Sequence, residues 1–293
     1  MNDSAPTEGN ILPTSMHQVG TITKYEMLNY FRSRRFLILL ILGLAISGLL
    51  TFAVAYRGIS DVATNPLTGS LSSLLFYSTW WGDSATFVVV MSAIFFGGDA
   101  ISGEFQNKTG YYLVGNPIRR SSIYIGKWIA AFIASMIVIL IYTAITIANG
   151  VYYFGGNAFP NQFIESWAFS IVYLIAALGF TFFFSSLFKS SSISILVTAV
   201  LLLFGFSVIA ELSSILINLE PWYVLTYGAD IIGDVLMSSY PQHETSQTVG
   251  GGRRSFTLTT FNPTISEGLA IMLLYFIVSA VLGLLLFERK EFN

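Results

Sequence analysis

Cysteine is absent from the sequence, histidine occurs only twice (His17 and His243), and charged side chains make up 10% of the 293 residues, against about 25% in soluble domains. Without cysteine there is no disulfide, no thiolate metal site and no cysteine nucleophile, and nothing by which to read a redox compartment. Acidic and basic residues nearly balance, 16 Asp+Glu against 14 Lys+Arg, for a net charge of -2. That leaves no basic excess to neutralise phosphates, so nucleic acid is not an expected partner. All eight prolines (Pro6, Pro13, Pro66, Pro117, Pro160, Pro221, Pro241 and Pro263) fall outside the long apolar runs. Nothing therefore announces the broken helices on which many secondary transporters build their ion sites.

What is present is apolar: 54% of residues are hydrophobic and the mean hydropathy is +0.69. A bilayer crossing takes about 20 mostly apolar residues. Six such windows occur, at 36–56, 74–96, 128–148, 167–188, 193–210 and 269–287. The expected fold is an all-α, polytopic membrane protein with six continuous transmembrane helices and no room for a large soluble domain.

Residues 1–20 are polar, carry Asp3 and Glu8 but no Lys or Arg, and are punctuated by Pro6 and Pro13. They lack the basic start and apolar core of a secretory signal and predict a mobile tail ahead of a six-span domain over 21–293. From 21 to 35, Ile22, Tyr25, Met27, Leu28, Tyr30 and Phe31 mingle with Lys24, Glu26, Arg32, Arg34 and Arg35, the mixture of a helix lying in the membrane interface.

Orientation follows from Lys and Arg beside the spans. With the N-terminus inside, inner segments hold eleven of them (Lys24, Arg32, Arg34, Arg35, Lys108, Arg119, Arg120, Lys127, Lys189, Arg289 and Lys290) and outer segments three (Arg57, Arg253 and Arg254). The bias predicts a multi-pass protein of the cell membrane with both termini cytoplasmic. Tyr56, Trp128, Tyr152, Tyr153 and Trp167 fall at predicted edges, where amphipathic rings prefer the headgroups.

Two connections are long. The external one, 211–267, contains an apolar stretch, 215–237, interrupted by Glu220, Pro221, Asp230 and Asp234. Charges at a bilayer centre are costly, so this stretch predicts short helices or a re-entrant hairpin rather than a seventh span. Beyond it, 243–257 (HETSQTVGGGRRSFT) reads as a flexible exposed loop rich in Gly, Ser and Thr.

The cytoplasmic connection DAISGEFQNKTGYYLVGNPIRRSSIYIGKW, 99–128, is the most informative stretch. It orders an acid, a short amphipathic helix, an Asn-Pro turn, a basic pair, and Gly-Lys entering the third span. Phe105, Tyr111, Tyr112 and Leu113 offer apolar anchors, and Glu104, Lys108, Arg119 and Arg120 offer rim charges for a docked partner. The plainer alternative is an interfacial loop whose cations merely obey the positive-inside rule.

The N-terminal KYEMLNYFRSRRF, the DAISGEFQNKTGYYLVGNPIRRSSIYIGK series, six spans, a large outer segment before the last, and a closing FERKEF together resemble permease subunits of ATP-binding-cassette transporters of the second, exporter-type membrane family. The resemblance covers the chain from about Gly20. It implies that Glu104 and the helix through Val114, with Phe105, Lys108, Tyr111 and Tyr112, form a coupling helix that meets an ATPase subunit. Asn116, Pro117, Arg119 and Arg120 would close the turn, and Gly126 and Lys127 would start span three. Glu26, Arg32, Arg34 and Arg35 would lie on the family's connecting helix beside the same partner. It further implies outer gate helices before span six, from which the extended 243–257 loop departs. Two ATPase subunits holding ATP and Mg, and a second permease copy or a homologue, would complete the assembly. No phosphate-binding loop exists in this chain, because Gly126-Lys127 precedes Trp128 and lacks the upstream glycine; no cofactor is expected on it.

Asp83 lies 13 residues before Phe96, about 20 Å along a helix, which puts it in the outer half of the membrane facing a bundle interior or water path. Trp80 and Trp81 would then wall a vestibule. If the segment starts later, Asp83 is a headgroup-level helix start and the tryptophans a belt. Glu211 follows a nearly complete span and reads as interfacial. An enzyme is disfavoured: Asp83 and Asp99 stand 16 residues apart, about 24 Å on one helix, too far for an aspartyl dyad. The two histidines lie outside all spans, on opposite predicted faces, and no His-Glu-x-x-His pair exists. The remaining alternatives are a membrane anchor or assembly component, and a secondary transporter using Asp83.

Overall fold

The computed structural model describes residues 14–64, 69–109, 118–156, 159–249 and 256–290. Among the described residues, six helices are long and apolar enough to cross a membrane: Arg34–Arg57, Ser73–Gln106, Arg120–Phe154, Asn161–Leu187, Ser191–Ile217 and Ile265–Arg289. These are spans one to six, and the protein is an all-α, multi-pass membrane protein. An N-terminal helix, Ser15–Arg32, precedes them. Spans two and four are the most enclosed, with 67% and 61% of their most apolar stretch buried, against 22%, 17% and 22% for spans one, five and six. Spans two and four therefore form the centre of the subunit, with three aliphatic outer faces left for lipid or a partner.

Local chemistry sets the ends of these helices. Thr264 caps span six in a reciprocal capping box: its hydroxyl accepts from the Glu267 N–H, and the Glu267 carboxylate accepts from the Thr264 N–H. Gly155 ends span three at φ 76°, a left-handed conformation that costs a glycine nothing. Span five stops at Asn218, φ 53°, one of the few side chains that tolerate that region.

Every span is present, and each is longer than its hydropathy window. Span three runs over Arg120–Phe154 rather than 128–148, because helical hydrogen bonding continues past the apolar stretch into polar ends. Span five continues through Glu211 to Ile217, well beyond 210, since a single acid ends a hydropathy window without ending a helix. Spans two and five are not uniform α-helices: π-helical turns occupy Ser78–Gly82, Leu201–Gly205 and Ser213–Ile217, inserting a residue into the ladder without a proline. The N-terminal helix begins at Ser15, six residues inside the expected tail, because Thr14 accepts the His17 N–H and starts the helix there; the rest of the tail, 1–13, lies outside the described residues.

Between spans five and six the chain forms two short helices, Leu225–Ala229 and Ile231–Asp234, in the stretch expected to hold short helices. The expected flexible loop at 243–257 is corrected. Strand β1, Glu244–Val249, pairs antiparallel with β2, Phe256–Phe261, from Glu244 opposite Phe261 to Val249 opposite Phe256. Residues 250–255 lie outside the described residues. The threonines that made the segment look loop-like are β-branched and fit a pleated ladder.

Candidate functional site

At the end of the bundle where the N-terminal helix packs against the start of span three, three elements converge on one ammonium group. Gly126 of span three lets the N-terminal helix approach closely: a Cβ there would lie 2.8 Å from Ile22 Cγ2 and 3.1 Å from the Val19 carbonyl oxygen. The Thr23 hydroxyl donates to the Gly126 carbonyl at 3.1 Å. One residue on, Lys127 points its side chain, 5% exposed, between two acids. It pairs with Glu26 of the N-terminal helix and, at 2.7 Å, with Glu104 at the end of span two. The Thr109 hydroxyl also donates to Glu104. A lone buried ammonium would be expensive, and here two carboxylates offset that cost.

The polypeptide around Glu104 is fixed on its other sides. Ser185 of span four accepts the Ile101 and Ser102 N–H groups at 2.9 and 3.0 Å. Gln106 accepts the Ser191 N–H, at the start of span five, at 2.7 Å. Asp99 pairs with Arg35 of span one at 2.5 Å, and the Tyr30 hydroxyl donates to the Phe96 carbonyl at 2.9 Å. Burial, reinforced by Glu26 and Asp99, pushes the Tyr30 hydroxyl well up and keeps it a donor. Glu26, Tyr30, Arg35, Asp99, Glu104 and Lys127 line a polar cleft of about 280 Å³.

Two further cations close helix ends. Arg120 donates to the carbonyls of Glu288 and Lys290 at 2.8 and 2.9 Å, capping span six. Lys290 donates to Ser186 and Phe188 at 2.8 Å each, capping span four, and stands 4.3 Å over the Phe105 ring. Burial, with Lys189 nearby, pulls Lys290 down to about 8.

The residues singled out in the sequence thus separate into three groups. Glu26, Arg35, Glu104, Phe105, Arg120 and Lys127 are joined to one another or to helix ends within the subunit. Arg32, Arg34, Lys108 and Arg119 are exposed at the same end. Tyr111, Tyr112, Asn116 and Pro117 lie outside the described residues.

At the opposite end the structure distributes the other candidates. Trp80 and Trp81 occupy the π turn of span two and are 1% and 0% exposed. Trp81 stacks on Tyr142 of span three at 5.7 Å and meets Phe163 of span four edge-on at 5.3 Å. Both indoles are enclosed by the rest of the chain rather than spread on an open wall. Asp83 begins the regular helix that follows, and its side chain lies outside the described set. Glu211 is exposed and lines a cleft of about 470 Å³ with Ser207, Ser214, Thr226 and Asp230.

Asp230 and Asp234 were legible only as charges interrupting an apolar stretch, yet both are acids raised above the ordinary carboxylate range. Burial, then the charge of Asp234, pushes Asp230 up to about 7, and burial pushes Asp234 up to about 6. Their spacing of four residues, in a segment too apolar for a surface helix, is the signal that could have marked them.

No curated protein matches the chain. Residues 21–292 match the family described as ABC-2 family transporter protein. With six spans, an N-terminal helix clamped to span three and nearly the whole length covered, the chain belongs to the ABC-2 transporter family.

Proposed function

We propose that this chain is the permease subunit of an ATP-driven exporter, working as a pair with a second copy or a homologue and coupled to two separate ATPase subunits that carry ATP and Mg. Membership of an ABC transporter family supports the permease role. The observation that carries the coupling is Lys127, which joins Glu104, at the head of the docking segment, to Glu26 of the N-terminal helix. A push on that segment moves span three and the N-terminal helix as one body, because the ion pairs and the close contact at Gly126 link them. In this reading Lys108 and Arg119, exposed at this end, meet the ATPase, with Arg32 and Arg34 beside them; Tyr111, Tyr112, Asn116 and Pro117, proposed to belong to the same surface, lie outside the described residues. Binding energy between ATPase and permease then favours one orientation of the spans over the other.

The charged network and the exposed cations call for different experiments. Changing Glu104 breaks the inside of the subunit, whereas Lys108 and Arg119 are exposed and can be reversed without disturbing it. The tagged chain and its Lys108→Glu, Arg119→Glu double variant are purified in mild detergent from the native host, and co-purifying proteins and ATPase activity are measured. An ABC-type ATPase retained by the wild type and lost from a monodisperse double variant is the expected result. A wild-type chain that purifies alone and without ATPase activity overturns the reading.

A further inference from the structure

We infer that Glu220, His243 and Glu267 form a binding site for a zinc-class divalent cation at the end of the subunit opposite the Lys127 network. The three residues come from separate elements: Glu220 from the connection after span five, His243 from the base of β1, and Glu267 from the first turn of span six. One possible ligand atom from each lies within 4.8 Å of the other two.

Hydrogen bonding fixes what the imidazole presents. Nδ1 lies 2.9 Å from the carbonyl oxygen of Asn262, which can only accept, so Nδ1 carries the proton. Asn262 is itself held there by its backbone N–H, which donates to the His243 carbonyl at 2.9 Å, and by its side-chain amide, which donates to Gln242 at 2.8 Å. In the neutral ring the Nε2 lone pair is then directed at Glu220 Oε2, 3.6 Å away. Two acceptors at that distance repel unless positive charge stands between them. With metal–ligand bonds of about 2.0–2.2 Å, neighbouring ligands on a tetrahedral zinc ion stand about 3.4 Å apart, close to the observed separation.

The carboxylates are held in the same manner. The Tyr227 hydroxyl donates to Glu220 Oε1 at 2.8 Å, leaving Oε2 toward His243. The Thr264 N–H donates to Glu267 Oε2 at 2.8 Å, and that oxygen lies 3.7 Å from Nδ1, the protonated side of the His243 ring, so Glu267 would reach an ion on Nε2 through its other oxygen. Partners that orient an imidazole and its companion carboxylates are the second layer of a metal site. One imidazole with two carboxylates suits zinc-class ions and leaves a fourth position for water; magnesium and calcium prefer all-oxygen sets. A bound ion would tie the base of the β-hairpin and the post-span-five connection to the top of span six.

The full-length chain, carrying an affinity tag without histidine and stripped with a chelator, is titrated with zinc against a chromophoric competitor. Wild type and His17→Ala are expected to bind one ion per chain, and His243→Ala and Glu220→Gln to bind it more weakly by at least about tenfold. Zinc in excess should raise the thermal midpoint of the wild type and raise that of His243→Ala by less. His243 and Glu220 are not core residues, and elution as a single monodisperse species checks that each variant is folded. The inference is overturned if the wild type takes up no zinc, or if His243→Ala binds it unchanged. It is equally overturned if saturating zinc leaves the wild-type midpoint unmoved.

Discussion

Lys127 and Glu104, 23 residues apart in the chain, meet at 2.7 Å because spans two and three run antiparallel and bring the end of one beside the start of the other. The same ammonium group takes Glu26, so one buried cation joins the N-terminal helix, the segment after span two and span three. Removing it leaves two part-buried carboxylates facing each other. Lys127→Met is expected to destabilise the chain by about 3–5 kcal/mol, read as a large fall in the thermal midpoint of the detergent-solubilised protein. Glu104→Gln, which keeps its hydrogen-bonding atoms, should cost less. The triple variant Lys127→Met, Glu26→Gln, Glu104→Gln should recover part of the loss, because no uncompensated charge remains. A Lys127→Met midpoint equal to wild type would show that the network does not hold these elements together.

The acids of the opposite end give stability an unusual pH dependence. Asp230 and Asp234 are both pushed above the ordinary carboxylate range, to about 7 and about 6, chiefly by burial. Between about pH 4, where free carboxyls titrate, and these values, the folded chain binds more protons than the unfolded one. Stability is therefore fullest below that window, falls as pH rises through it, and is flat above it. Asp234 is the firmer contributor: it is 7% exposed and its Oδ2 has no hydrogen-bond partner, whereas Asp230 is exposed to solvent in the cleft, where screening reduces its share. Thermal midpoints measured from pH 4 to pH 8 should decline in the wild type, and the decline should flatten in Asp234→Asn and further in the double Asp230→Asn, Asp234→Asn variant. An unchanged slope in both variants would remove these acids from the explanation.

The spans were legible because a bilayer demands some twenty consecutive apolar residues, and no soluble fold imitates six such runs. Their ends were not: Glu211 stops a hydropathy window but leaves the helix intact to Ile217. The start of the N-terminal helix hangs on one hydroxyl, that of Thr14, which no periodicity reports. The β-hairpin was hidden by its own composition, since threonine, serine and glycine serve loops and strands alike. For the candidate site, the family-like motif drew attention to Glu104, Arg120 and Lys127, but not to what each touches. Those partners, Glu26 and the last carbonyls of span six, lie about a hundred or more residues away in the chain and are reached only through helix packing. Trp80 and Trp81 read as a vestibule wall in the sequence, yet both lie in the core, Trp81 against Tyr142 and Phe163 of spans three and four, which no local pattern reports.

That core depends on one small hydroxyl. Ser166 of span four, wholly buried, accepts the Trp81 indole N–H at 3.1 Å and donates to the Ile232 carbonyl of the second short helix at 2.5 Å. It thereby links span two, span four and the helices between spans five and six. Ser166→Ala leaves a buried indole donor and a backbone acceptor without this partner, at a cost of about 1–3 kcal/mol. The expected result is a lower thermal midpoint and faster amide exchange around Ile231 and Ile232 than in the wild type. Adding Trp81→Phe to Ser166→Ala removes the orphaned indole N–H and opens a small cavity in its place, so the two changes should cost less together than the sum of each alone. Strict additivity would mean that Trp81 and Ser166 act independently, and unchanged exchange near Ile232 would mean that the short helices are held in place by apolar packing against span six.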